Sequence, residues 1–242
     1  MKKNLSVLAL LLRLKMKWVL ITLIAMPVIS WAVFFVYTAA KKTVSFRFGK
    51  GHVVFIVVFG IASLVIVLAC AGLFLKNTQK RYLLERLQIS ERKVFLWDIV
   101  ACILFLLMLW MMEIITVGTA GLIYSGSPWS KYGTVDVIYG LYTKHFYCRV
   151  LPLSDIRGWL YGLFYVICGG FLCACLSMVR GRKILHASIL GFVLGVLTIG
   201  FIREENWIFT AVVAVAVVVS VILCFRKLHN GKERSEDETF DC

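Results

Sequence analysis

Glu113 is the residue whose type and position raise the first chemical question. It stands in "IVACILFLLMLWMMEIITVGTAGLIY", residues 99–124, a stretch with no other charged side chain. A run of this length and polarity crosses a bilayer as a helix. Glu113 lies about 15 residues in, some 22 Å along the axis at about 1.5 Å per residue. A carboxylate at that depth is costly and turns towards a bundle interior or a water-filled path. Two roles fit it: lining a translocation path, where it meets cationic cargo or a proton, or accepting a structural hydrogen bond from a Ser, Thr or Tyr of a neighbouring helix.

The other reactive residue types do not assemble into a catalytic or metal-binding set. Cys70, Cys102, Cys168, Cys173, Cys175 and Cys224 fall inside apolar runs, where cysteine packs as a small hydrophobe. Cys173 and Cys175 are two apart and so occupy different helix faces, which argues against a ligand pair. His145 has no His, Asp or Glu at metal-ligand spacing. "REEN", residues 203–206, resembles the double-glutamate signature of CAAX-type membrane proteases, but that chemistry needs histidines on later spans. Only His229 follows it. The phosphate-binding pattern G-x-x-x-x-G-K-[ST] does not occur, so this chain is not expected to bind ATP. It is not read as an enzyme, and no cofactor or metal site is expected in it.

The elements that must position Glu113 are apolar helices. Hydrophobic residues make up 61% of the 242 and charged ones 17%, too apolar for a domain with a wet surface. Water is missing from the bilayer core, so backbone amides must pair within their own element, and long uniform apolar runs are helices. Six such spans are expected: 18–37, 53–75, 99–124, 159–179, 187–202 and 207–225. The fold class is all-α and polytopic, with a transmembrane domain over 18–228. With both termini in the cytoplasm, the inner segments hold 18 of the 27 Lys and Arg residues, the asymmetry that orients membrane proteins. The net charge of +14 is accordingly a topology and lipid-headgroup signal, and no nucleic-acid partner is expected. Residues 1–17 form an interfacial helix whose basic end faces anionic headgroups. Residues 125–158 form an outer loop rich in tyrosine, and 229–242 a charged cytoplasmic tail.

Pro27 should kink the first span, with Ser30 near enough to relieve the carbonyl it leaves unpaired. Gly191 and Gly195 have the small-residue spacing that lets helices approach closely. One stretch, "KNTQKRYLLERLQISERKVFLWDI" at 76–99, carries nine charged residues between two apolar spans. Tyr82, Leu83, Leu84 and Leu87 cluster on one side of a helix and charges cover the rest. Arg81 and Glu85 stand at pairing distance. Ser90 is placed as an N-cap, with Glu91 in the first turn of the next helix. A topology signal needs only Lys and Arg; a mixed-charge surface around an apolar centre is how a docking site looks.

This insert, with its basic residues, "YLLERLQIS", "ERK" and an aromatic-rich helix start, resembles the coupling-helix region of type-two ABC exporter permeases. Six spans in about this length, entered from an N-terminal interfacial segment, resemble that family's layout. The resemblance implies a permease subunit whose cytoplasmic segment 76–97 receives a separate ABC ATPase through Arg81, Tyr82, Leu84, Glu85, Arg86, Glu91 and Arg92. ATP and magnesium would belong to that partner. A second permease subunit, identical or sister, and membrane lipid are the other implied partners. The implied setting is a bacterial cytoplasmic membrane, and the implied cargo a bacteriocin-like or toxic peptide, or a lipid. A membrane sensor or accessory subunit that binds through the same insert is the competing expectation.

Overall fold

The computed structural model describes residues 2–40, 51–71, 91–126, 135, 156–178, 211, 213–215 and 217–222. Four long helices dominate them. Helix α1 is Lys2–Ala40, α2 Gly51–Cys70, α3 Glu91–Ser125 and α4 Ile156–Met178. A further helical stretch covers Val213–Ile222. Among the described residues there is no strand, as the apolar runs require.

Among the described residues three helices are long and apolar enough to cross a membrane: Lys15–Val36, Lys93–Ser125 and Gly158–Ser177. They overlap the expected spans at 18–37, 99–124 and 159–179. The apolar helices Phe55–Cys70 and Val213–Ile222 are shorter, and the expected span at 187–202 lies outside the described residues. Among the described residues three spanning helices stand against the six expected; parts of the expected spans at 53–75 and 207–225 also lie outside those residues.

The distribution of polarity is inverted relative to a water-soluble bundle. Leu20, Ile24 and Val28 of α1 face outward, as do Met108, Met111, Ile115 and Leu122 of α3. A soluble amphipathic helix puts charge there; here the exterior is suited to lipid. Seven polar residues sit inside: Lys15, Thr22, Ser30, Ser63, Asp98, Glu113 and Thr116 are all buried. On α1 the buried stripe is Leu11, Lys15, Val19, Leu23, Met26, Ser30 and Phe34. These spacings of three and four make one helix face.

Contacts fix the directions of the helices. Lys15 meets Asp98 and Trp31 meets Thr116, so α1 and α3 run parallel. Ser177 meets Asp98, and Gly170 meets Ile103 and Gly162 meets Trp110, so α4 is antiparallel to α3. Phe34 packs on Phe55 with ring centroids 5.5 Å apart, while Cys70 lies beside Cys102 and Lys15, so α2 is antiparallel to α1. At Gly170 α4 comes close against the backbone of α3. A Cβ there would overlap Ile103 Cγ1 and come within 3.0 Å of the Ile103 backbone nitrogen.

Helix α1 runs without interruption through 17 and 18 and through Pro27. The proline ring removes one backbone hydrogen bond, but Ser30 does not supply the expected relief. Its hydroxyl is buried and has no partner among the described residues.

Candidate functional site

Two polar levels lie inside the bundle, both built on α3. At the first, Lys15 of α1 donates from Nζ to Asp98 Oδ1 of α3 at 2.5 Å. Asp98 Oδ2 lies 2.6 Å from Ser177 Oγ of α4. Ser177 Oγ is also 2.9 Å from the Ala174 carbonyl. The hydroxyl carries one proton, and the charged oxygen at the shorter distance is the stronger acceptor. Lys15 Nζ has Cys102 Sγ as a further neighbour at 3.7 Å. Both charged side chains are about 1% exposed.

This arrangement closes three helices on one carboxylate. A buried charge without its counter-charge is strongly unfavourable, and the pair persists because each neutralises the other and the second oxygen is also bonded. The surrounding thiols Cys70, Cys102 and Cys173 are buried and free. Among the described residues no group of three or more His, Cys, Asp or Glu side chains is placed to hold a metal ion.

The second level is Glu113, fifteen residues farther along α3. It is fully buried, and neither carboxylate oxygen has a hydrogen-bond partner among the described residues. The structural hydrogen bond from a neighbouring Ser, Thr or Tyr, one of its two expected roles, is therefore not found among them. Ser30 Oγ is itself without a partner among the described residues, and three other hydroxyls of α2 and α3 are engaged with their own helices. Thr116 Oγ1 donates to the Met112 carbonyl and Ser63 Oγ to that of Phe59. Thr119 Oγ1 donates to the Ile115 carbonyl.

Of the residues expected at an ATPase contact, Arg81, Tyr82, Leu84, Glu85 and Arg86 lie outside the described residues. Glu91 and Arg92 form the first turn of α3, two turns before Asp98. Gly191 and Gly195 also lie outside the described residues. Sequence reasoning passed over Lys15 and Asp98. Lys15 lies in the segment expected to face headgroups, yet it is buried; its neighbours Arg13 and Lys17 do face outward. The signal that could have found Lys15 is its place between Leu11 and Val19, four residues from each, on the buried stripe. Asp98 was assigned to the end of the charged insert, yet it shares a helical face with Cys102, Phe105 and Leu109, all buried.

Comparison with protein-family models, with characterised proteins and with solved structures found no match to this chain.

Proposed function

We propose that this chain is the permease subunit of an ATP-driven exporter of the type-two ABC class, with six membrane spans and both termini in the cytoplasm of a bacterial cell. A separate ATPase subunit docks on residues 76–97, and two permease subunits enclose the path. The observation that carries this reading is the tie at the foot of α3. The 76–97 segment runs into α3, and within its first two turns α3 is bound through Asp98 to both α1 and α4. A push on the segment is thereby delivered to three helices at once, which is what a motor acting from outside the membrane requires. A peptide or lipid cargo agrees with the apolar composition of the chain. The mixed charge of Arg81, Glu85, Arg86, Glu91 and Arg92 agrees with a protein contact.

Co-purification from native membranes in mild detergent tests this. An ATPase subunit identified by mass spectrometry should accompany the natural chain and be lost from the Arg81→Glu/Arg86→Glu variant. An ATPase retained by both would keep the exporter and move the contact. No ATPase under any detergent or crosslinking condition would remove the exporter assignment.

A further inference from the structure

Glu113 and Ser30 are the two buried polar side chains whose oxygens have no partner among the described residues. Their positions are related. Ser30 is fifteen residues beyond Lys15 on α1, and Glu113 is fifteen beyond Asp98 on α3. Lys15 and Asp98 are bonded and the two helices are parallel. At about 1.5 Å per residue, both groups lie some 22 Å from the ion pair, in one layer of the bundle. Each is on the interior face of its helix: Ser30 between Met26 and Phe34, Glu113 between Leu109 and Thr116.

This layer is closed on both sides. Towards the start of α1 it is sealed by the core residues Val19, Leu23, Leu106 and Leu109, and then by the Lys15–Asp98–Ser177 tie. On the other side, one helical turn beyond Ser30, Phe34 packs against Phe55 at 5.5 Å and Tyr124 at 6.1 Å between ring centroids. Phe35 adds an edge contact to Phe34. An acid enclosed in this way cannot remain as a bare anion, because burial of an uncompensated carboxylate is far costlier than binding a counter-charge.

We propose that Glu113, with the Ser30 hydroxyl, forms an occluded binding site for a monovalent cation, either a proton or an alkali ion. The carboxylate supplies the charge, and the serine oxygen, which is not hydrogen-bonded to it in this structure, supplies a second, neutral acceptor for a cation held between them. A proton or bare alkali ion fits an enclosed layer that a hydrated or organic cation would have to force apart. This assignment does not depend on the ATPase partner or on the cargo.

Infrared spectroscopy of the full chain in lipid tests it, comparing the natural protein with Glu113→Gln in sodium, potassium and choline buffers. A proton occupant gives a protonated-acid carbonyl band, above the amide absorption, that the variant lacks. An alkali occupant gives carboxylate bands that move between choline and sodium or potassium in the natural chain alone. Carboxylate bands assigned to Glu113 that ignore every ion exchange would overturn the proposal, since the acid would then be ionised against a protein cation. On the natural chain, dicyclohexylcarbodiimide adds the O–H of a carboxylic acid across its C=N bond and favours apolar surroundings. Peptide mass spectrometry should place the adduct on Glu113, with labelling slowed several-fold by sodium or potassium if one of these is the occupant. Ser30→Ala should weaken that protection; an adduct on Glu113 equal in all buffers, with no protonated-acid band, would also overturn the proposal.

Discussion

Asp98 and Glu113 are two buried acids on one helix, and they are solved in opposite ways. Asp98 has both oxygens engaged, one by the Lys15 ammonium and one by Ser177. Glu113 is as deeply enclosed and has neither oxygen partnered among the described residues. The same helix thus carries one acid whose charge is neutralised by the fold and one whose charge is left for something else to neutralise. The first kind holds elements together; the second kind, inside a membrane bundle, is where small cations are handled. Burial by itself therefore says little about what an acid does, and its partners say most of it.

The largest way to break this contrast is Asp98→Leu. It strands the Lys15 ammonium in the core, and the expected loss is about 3–5 kcal/mol. Thermal unfolding of the detergent-purified chain reads it directly. Adding Lys15→Met to the same variant sharpens the point. With both charges gone, stability should return to within about 1–2 kcal/mol of the natural chain or exceed it, because well-packed apolar pairs often match buried ion pairs. A double variant as unstable as the single one would mean that the Asp98 side chain matters for reasons other than its charge.

Ser177→Ala removes one bond to an ionised oxygen and leaves the Lys15 contact in place. The expected loss is about 1.5–3 kcal/mol, measured in the same unfolding experiment and smaller than for Asp98→Leu. The smallest effect, with the opposite sign, is expected at Glu113. In choline buffer, free of sodium and potassium, Glu113→Gln keeps size where no protein partner is lost, so stability should stay within about 1 kcal/mol of the natural chain or rise.

Much of this architecture is legible in the linear chain, for physical reasons. A helix in lipid is specified by local composition alone, so the runs at 18–37, 99–124 and 159–179 each identify a spanning helix without reference to neighbours. Glu113 is legible because it is a lone acid in a run of apolar residues. The Lys15–Asp98 tie is not legible in the same way. Both residues sit at the ends of apolar runs, where charge is ordinarily a topology or headgroup signal. Their pairing joins residues 83 positions apart and depends on helices α1 and α3 running parallel, which composition does not encode. The unpartnered state of Ser30 was likewise hidden, since a serine three residues after a proline reads as a local hydrogen-bond donor. The docking role proposed for the charged segment 76–97, and the close packing expected at Gly191 and Gly195, are read from sequence pattern alone.

The most direct measurement is thermal unfolding of Asp98→Asn and Glu113→Gln side by side, in one detergent, in choline buffer and at one protein concentration. Each variant replaces an acid by its uncharged near-isostere. The account predicts a clear fall in Tm for Asp98→Asn, because Lys15 loses its counter-charge, and no fall for Glu113→Gln. Equal falls, or a fall confined to Glu113→Gln, would contradict the division of the two acids into a tie and a binding group.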